Sequence, residues 1–172
     1  MSFAYHKEEK AQKPADIKKI VILGVGNLLL KDEGVGIHVL RALKDAPLPT
    51  DVDLELIDGG TSPNVFYLLE GADKLIIIDA VAGGSDPGSI YRFRANDIAV
   101  ESKHIFSIHQ IGLLEGLKMM EHMESKRKDV VIIGVEPKEI GWGLELSSDL
   151  QQKIPQIVEV VLQGITEEAR KC

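Results

Sequence analysis

Apolar residues in this chain fall into two patterns: short unbroken runs, and stretches in which they recur every three or four positions. Ile20 to Val25, Leu75 to Ile78 and Val130 to Val135 are unbroken runs, as expected of parallel strands covered on both faces. They predict strands over Lys19 to Val25, Lys74 to Asp79 and Val130 to Val135, with a further strand over Val52 to Ile57. Val35, Val39, Leu40 and Leu43 have helical spacing, and predict a helix from Gly34 to about Ala46 that Pro47 and Pro49 stop. Pro63 suits the first turn of a short helix reaching Leu69 or Glu70. Ser107-Ile108-His109-Gln110 has the form of a capping box ahead of Leu113, Leu114, Leu117 and Met120. Ser147 or Ser148 can cap a last helix whose stripe is Ile154, Ile157, Val158, Val161 and Leu162. Ser89 to Arg94 mixes Ile90 and Phe93 with Tyr91, Arg92 and Arg94, the polarity of an edge strand, here expected to be antiparallel. Strands that alternate with helices predict an α/β protein: a three-layer α/β/α sandwich with a mostly parallel five-stranded sheet.

Residues 1–18 carry Lys7, Glu8, Glu9, Lys10, Lys13 and Pro14 with almost no apolar pattern, and read as a flexible tail. Residues 19–172 read as one domain, without repeats. At 172 residues with 44% hydrophobic content, the chain can build one substantial core. No apolar run approaches a membrane span, and Met1 to Lys19 is too polar for a signal peptide, so the expected location is the cytoplasm. The formal net charge of −7 and the lack of a basic cluster argue against a nucleic-acid surface. The only cysteine is Cys172, which excludes a disulfide framework and a cysteine metal cage.

Chemistry concentrates where strands end. Asp32 and Glu33 follow the first strand, Asp58 opens an Asp58-Gly59-Gly60-Thr61 turn after the second, and Asp79 closes the third. Parallel strands put their carboxyl ends on one edge, so these acids can converge on a single crevice. His109, in the first turn of its helix, can join them there. A helix N-terminus disfavours imidazolium and leaves the neutral ring that a metal requires. A Glu, an Asp and a His form a mixed oxygen and nitrogen set suited to nickel, zinc or manganese, with positions left open.

Each residue also has a plainer role open to it. Glu33 can simply complement a helix N-terminus, Asp58 can shape its glycine turn, and His109 can be a capping-region histidine. Asp79 follows four aliphatics and needs a partner if it is buried. His38 and His122 read as solvated helix residues, and His104 is a reserve candidate. Trp142, between Gly141 and Gly143, can either contact a partner or fold back over the core. Glu136 is a further acid near the same edge, either supporting the site or merely on the surface.

Familiar site motifs are missing. The dinucleotide fingerprint needs a third glycine where Leu29 stands, no Gly-Lys-Ser/Thr follows the glycine turn, and there is no Gly-x-Ser-x-Gly elbow. His-Glu-x-x-His, the mark of a resident-zinc protease, is also lacking.

Taken together, G-V-G-N-L-L-L-K-D-E-G-V-G at 24–36, D-G-G-T at 58–61, I-I-I-D-A at 76–80, H-Q-I-G-L at 109–113 and G-V-E-P at 134–137 resemble the nickel-iron hydrogenase maturation endopeptidases. The resemblance extends over essentially all of the chain after Lys18. It implies a peptidase that removes the C-terminal peptide of the nickel-loaded large-subunit precursor of a nickel-iron hydrogenase; the small size and acidic surface permit a monomer, the state expected here. It also implies metal-binding roles for Glu33, Asp79 and His109 and an active-site role for Asp58. The nickel is expected to arrive with the precursor, and no nucleotide is expected. Asp58 or Asp79 would then serve as general base. The alternative is a non-catalytic nickel-sensing chaperone for hydrogenase assembly.

Overall fold

The computed structural model describes residues 18–61, 71–94 and 129–167. The strands are β1 (Lys19–Val25), β2 (Asp53–Gly60), β3 (Lys74–Ala80), β4 (Ile90–Arg94) and β5 (Asp129–Val135). A 3₁₀ turn (Lys31–Gly34) leads directly into α1 (Val35–Leu43), and α2 (Ser148–Thr166) ends the described chain. Among the described residues the strands form one sheet in the order β2-β1-β3-β5-β4. The first four are parallel, and β4 runs antiparallel to β5 on the edge, as its mixed polarity predicts.

Alternation divides the core between the two faces of the sheet. Ile20, Ile22, Ile76, Ile78, Val131 and Ile133 point to the face that packs on α1 and α2. Val21, Leu23, Leu75, Ile77, Val130 and Ile132 point to the other, and are also buried. A central strand buried on both sides has no use for alternation in its sequence, which is why β3 reads as Leu-Ile-Ile-Ile. The helices expected at 63–70 and 107–120, the tail over 1–17, and His104, His109 and His122 lie outside the described residues.

The paired boundary of β2 differs from expectation. Asp58-Gly59-Gly60 belongs to the strand rather than to a turn beyond it. Gly24 pairs with Asp58 and Val25 with Gly60, so Gly59 is an extra residue, a bulge that keeps the ladder going to its end. A side chain at Gly59 would press on Leu23, and Gly60 sits at φ 51°, so glycine lets the strand both bulge and close.

The glycines of the first loop hold the helix against the sheet. A Cβ on Gly36 would fall on the carbonyl oxygens of Ile78 and Val25, and one on Gly24 would meet Gly36 and Leu40. The repeated Gly-x-Gly spacing therefore serves close backbone approach between α1, β1 and β3.

Candidate active site at the carboxyl edge

The carboxyl ends of β1, β2, β3 and β5 share one edge, and the acids singled out from sequence are distributed over it in distinct environments. Asp79 is 1% exposed, and its Oδ1 accepts the N–H of Ala80 at 2.8 Å. A carboxylate drawn into a hydrophobic sheet at this depth is costly unless it is bonded, which marks it out from a surface acid. Glu33, half-buried in the 3₁₀ turn, is carried by the segment joining β1 to α1. Asp58 is exposed, and its Oδ1 accepts the N–H of Gly60 at 3.0 Å, so it shapes the bulge as well as standing at the edge.

The faces distinguish these residues further. Asp58 is in register with Gly24, and Gly24 with Ile78, so Asp58 belongs to the α1 side of the sheet. Asp79, one residue past Ile78, alternates to the opposite side. The two carboxylates can approach a common substrate only over the top of the strand ends. Among the described residues no three of His, Cys, Asp and Glu gather into a metal-binding group, and His109 lies outside them.

Asp32 and Glu33 are neighbours in sequence with separate fates. Asp32 is fully buried. Its Oδ2 accepts the N–H groups of Lys138 and Glu139, each at 3.0 Å, and its Oδ1 accepts that of Ser147 at 2.7 Å. Three backbone donors satisfy a buried carboxylate without a cation. They also fasten the 136–147 loop to the 3₁₀ turn that carries Glu33. The attachment continues along the backbone: Lys31 N–H donates to the Gly143 carbonyl at 2.9 Å, and Gly143 N–H to that of Leu29 at 3.0 Å. Lys31 adopts φ 50°, a left-handed turn that this attachment over-determines. Sequence alone puts both acids at the crevice; the structure turns Asp32 inward to these amides instead, because nothing local tells which of two adjacent acids is buried.

Two further residues acquire roles. Glu136 is 7% exposed, which settles its open alternatives in favour of support. It accepts the N–H of Gly83 at 2.7 Å and that of Ser85 at 3.4 Å, together with the Tyr91 hydroxyl proton. It therefore braces the loop leaving Asp79, on the same face of the sheet. His38, expected to be solvated, is half-buried instead. Its Nε2 is buried with no hydrogen-bond partner among the described residues, and the Leu144 backbone lies close enough to favour the charged ring. Burial, followed by the charge of Arg41, lowers its pKa. The helix turns this position toward the 136–147 loop, a packing that periodicity alone does not reveal.

Trp142 does not fold back: it is 83% exposed. The loop backbone is held from beneath by Asp32, and the indole points away from it.

This chain matches the family model described as hydrogenase maturation protease over residues 37–164. It is 31% identical to the hydrogenase expression/formation protein HupD of Thiocapsa roseopersicina over 87% of its own length and 68% of that protein's. It is 29% identical to the hydrogenase 2 maturation protease of Escherichia coli, covering 87% of this chain and 92% of that one. Among solved structures, it superposes on the hydrogenase maturating endopeptidase HybD of E. coli with a TM-score of 0.75 at 29% identity, covering 87% and 93% of the two chains. It superposes on the [NiFe] hydrogenase maturation protease HybD of Thermococcus kodakarensis with a TM-score of 0.68 at 28% identity, covering 83% and 96%. The buried acid at the end of β3, the Glu33 turn and the five-stranded sheet thus belong to a member of the hydrogenase maturation protease family, a group of endopeptidases.

Proposed function

We propose that this protein removes the C-terminal peptide from the large-subunit precursor of a nickel-iron hydrogenase after nickel has been inserted. The observation that carries this reading is the placement of Glu33 in the turn that follows β1 and of the buried Asp79 at the end of its parallel neighbour β3, in a chain of the maturation protease family. The family favours this reading over the non-catalytic chaperone, because the relatives that the chain matches are named as proteases.

In the mechanism proposed here, Glu33, Asp79 and His109 meet the nickel that the precursor carries. Carboxylate oxygens and an imidazole suit such an ion, and three ligands leave room for those the precursor already supplies. Docking then depends on metal insertion, and an unloaded precursor is left intact. Asp58 keeps one carboxylate oxygen beyond its bond to Gly60, available to take a proton from the attacking water. Asp79 is the other candidate base, and its burial favours the ligand role. The braces from Asp32 and Glu136 hold the two loops that carry Glu33 and leave Asp79, so these two acids are positioned before substrate arrives.

The test is to mix the protein with the precursor, nickel-loaded and nickel-free, and follow the precursor's mass. Loss of the C-terminal peptide from the loaded form alone is the expected result, with cleavage abolished by His109→Ala. Equal cleavage of both forms would overturn the nickel-sensing role of Glu33, Asp79 and His109. Absence of cleavage from both would overturn the peptidase reading.

A further inference from the structure

We infer that Leu29, Ile140, Trp142 and Leu144 form the surface on which the folded body of the hydrogenase precursor docks. This rests on the peptidase reading above and adds to it where the substrate protein is gripped. Among the described residues, the large hydrophobic side chains that stand exposed are these four, at 52%, 58%, 83% and 62%. Exposed apolar residues scattered singly are ordinary, but these share two segments that are bonded to each other. Leu30 and Gly143 form a parallel bridge, which sets Leu29 alongside the Trp142-Gly143 segment.

A tryptophan between two glycines has the freedom to lie down on the nearest apolar surface. Here the loop is tied at Lys138, Glu139 and Ser147 to a buried carboxylate, and at Gly143 to the neighbouring loop. The backbone is fixed and the side chains stand outward, so a partner that binds here has only their rotamers left to order. Around them lie paired charges. Lys31 meets Glu139 at 3.0 Å and Lys138 meets Asp149 at 2.5 Å, and the exposed Glu145 beside Leu144 adds a further acid, giving an apolar centre with a polar, partly neutralised rim.

Position and charge identify the occupant as the substrate protein. The patch adjoins the Glu33 turn on the carboxyl edge, so a body seated on it presents its chain end to Glu33 and Asp79. A second copy of this chain seated there would close the edge against substrate, and would bring together two molecules of net charge −7.

Trp142 is the only tryptophan, so 5-fluorotryptophan gives a single ¹⁹F resonance that reads this surface without requiring cleavage. The expected result is that the resonance shifts on adding nickel-loaded precursor. Trp142→Ser and Ile140→Ser should each raise KM for the precursor roughly tenfold, with the rate at saturation within about twofold. Their high exposure predicts unchanged melting temperatures. Cleavage with no ¹⁹F shift and wild-type KM in both variants would overturn the docking surface while leaving the peptidase intact. A shift without cleavage would overturn the peptidase reading and leave the surface standing. A shift that depends on the concentration of this protein alone, with KM unaffected, would assign the patch to a second copy and overturn the inference.

Discussion

The buried carboxylate of Asp32 accepts the backbone N–H of Ser147 at 2.7 Å across 115 positions of sequence. This bond joins the turn after β1 to the residue that caps α2, where the Ser147 hydroxyl in turn accepts from Leu150. One side chain thereby fixes the start of α2, the 136–147 loop and the segment carrying Glu33.

Removing that carboxylate strands three backbone donors. Asp32→Ala is expected to lower unfolding stability by about 3 kcal/mol or more, read as the urea midpoint at constant m-value. Asp32→Asn keeps an oxygen for the Lys138 and Glu139 N–H groups but sets its amide donors against the N–H of Ser147, so it should recover only part of the loss. An Asp32→Ala variant as stable as wild type would show that the loop has no need of the brace.

Asp58→Asn separates structure from chemistry at the edge. An asparagine oxygen can still accept the Gly60 N–H, so stability should stay within about 0.5 kcal/mol of wild type. If Asp58 is the general base, cleavage of the nickel-loaded precursor falls by roughly a hundredfold or more. An unchanged rate would move that role to Asp79.

Glu136→Gln should loosen the loop after Asp79 by about 1 kcal/mol, since the amide oxygen that takes the place of Oε2, the atom that accepts the Gly83, Ser85 and Tyr91 protons, lacks the carboxylate charge that strengthens those bonds. Hydrogen exchange at Gly83 and Ser85 is the measurement, and faster exchange confined to this loop is the expected outcome. Exchange at the wild-type rate would mean that the loop is held by other contacts.

Acid should weaken the fold through His38. Its folded pKa lies below the unfolded value of 6.5, so the unfolded chain takes up more protons as the pH falls. The contribution is neutral above that value, grows unfavourable as the pH drops through it, and levels off once the folded imidazole also protonates. His38→Gln should therefore lose less stability than wild type between pH 8 and pH 5.5, measured by urea unfolding at each pH. Equal losses would show that the buried ring is not responsible.

Gly36→Ala is expected to cost about 3 kcal/mol, because the new methyl group meets backbone carbonyls that cannot rotate aside. Gly141→Ala, with open space around it, should be neutral within about 0.5 kcal/mol. Comparable melting temperatures for the two variants would argue that α1 is free to shift on the sheet.

The sequence by itself determined the sheet and the edge on which chemistry gathers. Unbroken aliphatic runs and helical spacing are local properties, and the energy of burying them is the same wherever they pack, so β1, β3, β5, α1 and α2 are legible from composition and period. The antiparallel edge strand was legible for the same reason: its polarity suits a half-exposed position. Tertiary structure alone decided which acids turn inward. Asp32 and Glu33 differ because three distant amides converge on one of them, and Glu136 is buried because Gly83, Ser85 and Tyr91 come to meet it. The opposite faces of Asp58 and Asp79 follow from register, which is a relation between strands rather than a property of either. Trp142 stands exposed because its loop is anchored from beneath, a constraint that lies in hydrogen bonds formed more than a hundred residues away along the chain.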